Sequence, residues 1–396
     1  MMNKIRMLLP IGFFAIILFG LVSHVSITDS KVSDMENRTL EKAPLEPTVK
    51  EILSGGWSAQ VETYFSDQFP ARETWLRTFV KVELAMGKAY LDDKYHADTK
   101  TGWITSKPAG LQPSETLKES TDEVAIFKSE LDAIGIPFTF FSLPAKATYV
   151  REPHPAYMPD DSGIDNNRAF LTLLTEKDVD NVLLMDTMRK LNGGHMDADN
   201  WYFKTDHHWN INGAFAGYQA IVTELSERIG ETLTPMSADN TEKTCLDNEF
   251  AGSWNKVLYL LISNDDKICY QEPEAFDNQF TVYKGPVLAT NEVQRSEIYA
   301  LGRDLPTDQS VSYSVGYSSD FGELNILNDT YENDGHLLII KDSYFNPIQF
   351  QVASHFKQTT IIDLRYFEGD ISTFLKTLQP SYAIMAYNDR NFDLGM

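Results

Sequence analysis

Apolar residues recur along this chain with two alternating periods, and the alternation predicts an architecture. Val124, Phe127, Leu131 and Ile134 lie three or four apart, one face of a helix closed by Gly135, and Phe138 to Leu143 follows as an apolar strand. Ala169 to Leu174 reads as helix again and Val182 to Met185 as strand. Beyond Trp209, Asn210 and Asn212 lead into Phe215, Tyr218, Ile221, Val222, Leu225 and Ile229, an amphipathic helix with its N-cap supplied. Near the C-terminus, Leu337 to Ile340 is a strand, Asn346-Pro347 marks a cap and first helical residue, and Ile348, Val352, Ala353 and Phe356 carry that helix on. Thr359 to Ile362 and Tyr382 to Met385 are strands around a helix with Phe374, Leu375 and Leu378. Helix and strand taking turns predict an α/β domain whose parallel sheet is flanked by helices.

The same pattern divides the chain. Lys4 and Arg6 precede Met7 to Ile27, a run without Asp, Glu, Lys or Arg. At about 1.5 Å per residue it matches a hydrocarbon core of about 30 Å, so residues 1–29 are expected to be a cytoplasmic stub and transmembrane helix, with the body outside the cytoplasm. The rival is a cleaved signal peptide and a secreted protein; Ser23-His24-Val25-Ser26 lacks a small-x-small cleavage site, which favours the anchor. Residues 30–48, polar with Pro44 and Pro47, read as a tether, and 49–110 as a helical preface broken at Phe69-Pro70. The α/β domain then occupies 111–234 and 331–396, around a β-rich insertion at 235–330 with short alternating runs such as Phe280 to Tyr283 and Val311 to Val315.

Composition narrows the function. With 57 acidic and 34 basic residues the net charge is −23, which argues against nucleic acid or any polyanion as partner. A mean hydropathy of −0.29 excludes a polytopic membrane protein. Cys245 and Cys269 are the only cysteines, and an oxidising exterior would let them pair as a structural staple. Two buried free thiols are the alternative, and with no His between them they make a poor zinc site.

Chemistry is expected beyond the carboxyl ends of the strands, where loops of an open α/β sheet share one crevice. There stand Lys341-Asp342-Ser343, Asp363-Leu364-Arg365, Tyr387-Asn388-Asp389-Arg390 and, after Leu143, Pro144 and Lys146. Ser343 lies between a buried strand and a helix, the position of a nucleophile elbow, where N–H groups of the helix start would face an oxyanion. An ordinary loop or capping serine is the bland alternative. Of eight histidines, the pair in Thr205-Asp206-His207-His208-Trp209-Asn210 stands out. If Tyr202 to Trp209 is extended, Asp206 and His208 share a face and His207 points away, so the acid can orient the imidazole. Adjacent histidines are also metal ligands in other proteins, but an extended pair splays apart and no nearby Cys/His set completes a zinc spacing, so no metal and no cofactor is expected.

These motifs resemble the DHHW proteins, relatives of the extracytoplasmic alginate O-acetylation proteins, whose fold is like a circularly permuted SGNH hydrolase. The resemblance rests on Thr205 to Asn210 with Gly213, on Lys341-Asp342-Ser343-Tyr344-Phe345-Asn346-Pro347, and on Asp363-Leu364-Arg365-Tyr366. It extends to Glu36-Asn37-Arg38, Asp67-Gln68-Phe69-Pro70-Ala71-Arg72 and Phe250-Ala251-Gly252-Ser253, with Lys-Asp-Ser where ordinary SGNH enzymes have Gly-Asp-Ser. It implies that Asp206, His208 and Ser343 form a triad for acyl transfer to or from a sugar hydroxyl. A membrane-bound O-acyltransferase would be the partner that delivers the acyl group. Arg365, Tyr344, Trp209, Tyr387 and Lys146 are expected to line a groove for a cell-surface or secreted polysaccharide. The expected activity is O-acyl transfer, most simply O-acetylation; the alternatives are a carbohydrate esterase and a non-catalytic glycan-binding or assembly subunit of the same fold.

Overall fold

The computed structural model describes residues 10–15, 18, 20, 22, 28–36, 38–151, 154–332 and 334–394. They form two compact units: one takes in the described residues up to Asp92 together with Asn255–Leu261, the other runs through Asp93–Trp254 and from Ile262 onward. The larger part of the expected anchor, Met7–Ile27, lies outside the described residues, and among those described no helix is long and apolar enough to cross a membrane.

In the first unit Val32–Ser33 (β1) pairs with Arg38–Thr39 (β2), and three helices follow, Val49–Ser54 (α1), Gly56–Asp67 (α2) and Arg72–Ala85 (α3). Thr48 and Glu51 form a capping box at the start of α1. Asp67, almost fully buried, ties the unit together: it accepts from the Arg38 guanidinium and from the N–H of Glu41, while Arg72 pairs with Glu36. The Arg38 bonds, ahead of the opposing effect of burial, hold the Asp67 carboxyl down at about 2.

The second unit opens on a hairpin, Tyr95–Asp98 (β3) with Trp103–Ser106 (β4), and is built on an eight-stranded sheet. Its parallel part comprises Phe138–Leu143 (β5), Asp180–Leu183 (β6), His336–Lys341 (β12), Gln358–Ile362 (β13) and Tyr382–Asn388 (β14), ordered β13-β12-β14-β5-β6. Strand β12 shows why it is central: Leu337 and Ile339 enter one core, Leu338 and Ile340 the other, and all four are fully buried. One face is covered by Ser114–Ala133 (α4), Gly163–Glu176 (α6) and Ile371–Leu378 (α10), which supply Val124, Phe127, Leu174 and Leu375. Leu184–Leu191 (α7), Ile211–Ile229 (α8) and Gln349–Ala353 (α9) supply the other with Met185, Ile221 and Phe350.

The sheet is mixed rather than purely parallel. Three strands of the expected insertion extend the main sheet: Glu323–Asn328 (β11) adds antiparallel to β13, Phe280–Lys284 (β9) antiparallel to β11, and Glu292–Val293 (β10) antiparallel to β9. Their buried residues Val282, Leu324 and Ile326 join the same core as Ile339. Within the insertion, Glu242–Cys245 (β7) and Cys269–Glu272 (β8) form a separate ladder, and Cys245 and Cys269 are disulfide-bonded across it. Val311–Val315 is not a strand: Val311 makes a single bridge to Phe250, and a short helix spans Tyr313–Gly316. The strand expected over Val182–Met185 ends at Leu183 because Met185 and Met188 take helical spacing into the core.

Candidate active site

The carboxyl ends of β12, β14 and β5 meet, as the strand-end rule requires. Asp342 N–H donates to the Ala386 carbonyl at 3.3 Å and Asp389 N–H to the Leu143 carbonyl at 2.9 Å. Ser343 therefore sits at a vertex built from regular structure. Its helix begins earlier than Asn346-Pro347 suggested: a 3-10 turn spans Ser343–Ile348 with Asp342 as N-cap, accepting from Tyr344 N–H, and Gln349 opens α9. Pro347, with no N–H to give, lies just before the change from 3-10 to α. At this earlier helix start the N–H groups of Tyr344 and Phe345 are already committed to the side chain and carbonyl of Asp342, so they are not free to serve as the oxyanion donors expected of a helix start there.

The histidine arrives by irregular backbone. Tyr202 and Trp209 bridge antiparallel, and Phe203 N–H reaches the His208 carbonyl at 3.3 Å, so residues 203–208 form a loop that doubles back rather than an extended run. Beyond it Asn210 caps α8, accepting from Asn212 and Gly213 N–H. Gly213 has to be glycine, since a Cβ there would lie 2.2 Å from the Trp201 carbonyl oxygen.

Within this loop Asp206 Oδ1 takes both the backbone N–H of His208 at 3.0 Å and the bond to His208 Nδ1 at 2.7 Å. Its Oδ2 accepts the N–H of Ser253 at 2.7 Å. Gly252 makes that approach possible, because a Cβ on it would come within 2.5 Å of Thr205 oxygen atoms. Burial alone would raise the Asp206 carboxyl, but the two histidines, the His208 bond and the Ser253 N–H outweigh it and hold the group well below the usual carboxylate range. His208 Nε2 then stands 2.8 Å from Ser343 Oγ. Asp206, His208 and Ser343 thus form one hydrogen-bonded chain, buried at the acid and partly open at the serine.

His207 does not point away. Its ring centroid is 3.7 Å from that of His208, and its Nδ1 is 2.8 Å from Ser253 Oγ. The opposite face of His208 is stacked by Tyr313 at 3.6 Å and 5°, whose hydroxyl donates to the Ser343 carbonyl at 3.0 Å. Tyr313 carried no signal in the sequence beyond an alternating run. Donor atoms of Asp206, His207 and His208 lie within 4.8 Å of one another. Both oxygens of Asp206 and both nitrogens of His208 are already hydrogen-bonded, so a metal there would have to break the chain.

The residues expected to line a glycan groove fall differently. Trp209 is buried, its indole N–H donating to the Tyr344 carbonyl at 2.8 Å. Tyr344 is buried too, and its hydroxyl donates to the His207 carbonyl. Lys146 opens a short helix, Lys146–Tyr149 (α5), and is fully buried: Nζ donates to the carbonyls of Lys204 at 2.7 Å and Asp206 at 2.9 Å and lies 4.4 Å from the Trp254 ring centre. Burial pushes its ammonium down to about 7, against the pull of Asp266 and Asp206. Asp266 fastens the loop from another side through Lys204 N–H, Thr205 N–H and the Thr205 hydroxyl. Trp209, Tyr344 and Lys146 thus brace the loop from inside. Tyr387 belongs to the core on the other face of the sheet, because β14 alternates and Ala386 is the residue turned toward the site's side. Arg365 alone is substantially exposed, 41% of its side chain, and it is paired with Asp363 and Asp320.

Residues 99–265 match the family described as SGNH hydrolase-like domain, acetyltransferase AlgX. That span includes Asp206 and His208 and stops short of Ser343. No curated protein sequence matches the chain. Two solved structures of Bacillus cereus PatB1 are similar, both at a TM-score of 0.64. The one with a sulfonyl adduct is 26% identical, covering 76% of this chain and 96% of that chain; the other is 28% identical, covering 74% and 97%. A DHHW family protein from Eubacterium siraeum shares the fold at a TM-score of 0.58 and 17% identity, over 78% of this chain and 94% of that one. The chain thus has an SGNH hydrolase-like α/β fold and is related to the alginate O-acetylation proteins, as its motifs implied.

Proposed function

We propose that this protein is an extracytoplasmic O-acyltransferase, anchored by its N-terminal run, that acylates a cell-surface or secreted polysaccharide through an acyl-serine. One observation carries the reading: the unbroken chain from Asp206 Oδ1 through both nitrogens of His208 to Ser343 Oγ. The match to an acetyltransferase domain supports acetyl as the group moved.

In the first half-reaction Ser343 Oγ attacks the donor's acyl carbonyl while His208 Nε2 takes the hydroxyl proton. The carbonyl then re-forms, the donor's oxygen leaves with that proton, and the acyl-serine remains. In the second, a sugar hydroxyl gives its proton to His208 as its oxygen attacks the acyl-serine, and Ser343 leaves with the proton. Asp206, ionised and buried, keeps Nδ1 protonated and stabilises the imidazolium at both stages. A membrane-bound O-acyltransferase is the partner class that would supply the donor from across a membrane. Hydrolysis differs only in the acceptor.

The test is to incubate the full-length protein with an acetyl ester donor, with and without polysaccharide. The reading expects acetylated glycan from wild type and none from Ser343→Ala of equal stability. Acetate release unaffected by glycan, with no acylated product, would make the protein an esterase. A folded protein whose Ser343 fails to react with a serine-directed phosphonate would make it a binding subunit.

A further inference from the structure

Helix α3 carries a feature that the acyl-transfer reading leaves unused. Trp75, Phe79, Val82 and Met86 are spaced four, three and four apart, so they form one stripe about 16 Å long. With Phe69 at the preceding corner they are between 48% and 78% exposed. Val80 and Glu83 bury the adjacent face, while Arg77 and Lys81 occupy the polar side. Scattered exposed apolar residues need no explanation, but a contiguous stripe of five, three of them aromatic, does.

Where the uncharged run ends says what covers the stripe. Ser30 exchanges two hydrogen bonds with the Gln68 side chain, its N–H to Oε1 at 2.9 Å and its carbonyl from Nε2 at 3.0 Å. Tyr64 donates to the Asp29 carboxylate at 3.1 Å. Ser30 is three residues past Ile27, at most about 11 Å of chain, so the corner next to Phe69 is fastened close to the end of the expected membrane segment. Residues 30–92 carry eight basic and ten acidic side chains, nearly balanced in a chain of charge −23, so this unit meets little repulsion from an anionic surface.

We propose that the Phe69–Met86 stripe lies in the lipid interface, seating the first unit on the outer surface of the membrane that holds the anchor. This rests on the anchor in the proposed function and is independent of the serine chemistry. A helix with apolar residues on one side and cations on the other lies in that plane with its apolar face about 5–10 Å deep.

The test places one environment-sensitive fluorophore on the full-length protein at Phe79→Cys or, opposite it, at Lys81→Cys, both exposed positions. Labelling is selective because Cys245 and Cys269 are bonded. Proteins are reconstituted into vesicles of phosphatidylcholine with a minority of phosphatidylglycerol, isolated by flotation, and quenched by aqueous iodide or by nitroxide-bearing lipid. Position 79 is expected to be at least about threefold less sensitive to iodide than position 81 and to be quenched by the lipid nitroxide. Floating protein with equal iodide access at both positions overturns the seating and leaves the anchor standing. Shielding of 79 from both quenchers overturns it in favour of a protein cover, a second copy or another subunit. Failure to float removes the anchor and this inference together, leaving Ser343 reactivity to judge the chemistry separately.

Discussion

The two halves of the Asp206–His208–Ser343 hydrogen-bonded chain are positioned by opposite means. Ser343 lies just past the end of β12, a strand buried on both faces and hydrogen-bonded to parallel neighbours on either side, so its place is set by the sheet. Asp206 and His208 sit in a loop without regular structure, and their place is set by side chains: Lys146 and Asp266 from within, Ser253 N–H on the acid, Trp209 and Tyr344 across to the serine turn. A sheet position tolerates change at a distance because many bonds share the load. A loop held by a few buried hydrogen bonds does not, since breaking any one of them leaves a desolvated group unpaired. Substitutions around the histidine loop should therefore affect catalysis more than substitutions around the serine strand, at equal cost in stability.

The largest effect is at the chain itself. Asp206→Asn preserves shape but cannot fix the protonated Nδ1, and turnover of an acetyl ester is expected to fall by roughly 10³–10⁴ with the fold intact. A loss under tenfold would mean the acid is structural. Next is Gly252→Ala. Its Cβ would meet Thr205 oxygen atoms at 2.5 Å, so the Ser253 N–H is pushed off Asp206, and turnover should drop well beyond the cost in stability of about 1–3 kcal/mol. Gly110→Ala, where nothing lies within 4 Å, should change neither quantity. Equal behaviour of the two would remove the loop from the argument.

Lys146→Met sharpens the comparison through pH. The ammonium is pushed down to about 7 by burial, below its ordinary value of 10.5, so between these values the unfolded chain binds more protons than the folded one. The penalty for burying the charge is complete below about pH 7 and is relieved as pH rises toward 10.5. Wild type should thus gain stability relative to the methionine variant over that window, in chemical denaturation at fixed pH steps. Turnover should fall at every pH, because the carbonyls of Lys204 and Asp206 lose their donor. A stability difference that stays flat with pH would place the ammonium in water.

What the sequence revealed follows the same division. Strand β5 was legible to the residue and β12 to within one at each end, because buried parallel strands are continuous apolar runs, and the strand-end rule then placed Ser343 on the rim. Asp206 and His208 were legible as neighbours, but the extended backbone that would align them is absent, and with it goes the outward orientation of His207. No local pattern encodes a loop held by Lys146, 60 residues before Asp206, or by Ser253, 47 after it. Trp209, Tyr344 and Lys146 suit a sugar by residue type alone; the structure uses them for bracing. The antiparallel strands β9–β11 were visible as alternation, but which sheet they join depends on pairing with β13, a contact of high sequence separation.

The smallest effect on catalysis is expected where the molecule has a covalent staple. All four residues of β7 are exposed and all four of β8 are buried, so β7 holds to the unit by its ladder and by the Cys245–Cys269 bond rather than by burial. The bond closes a loop with a sequence separation of 24, worth about 3 kcal/mol in the chain-entropy model. Replacing both cysteines by serine should lower the unfolding temperature and speed amide exchange at Lys243 and Thr244. The rate of Ser343 labelling by a phosphonate should stay within about twofold, since none of the hydrogen bonds that brace the histidine loop passes through β7. A labelling rate that fell with the staple would show that the loop takes support from a ladder it does not touch, and would erase the contrast between a serine held by the sheet and an acid–imidazole pair held by a handful of buried bonds.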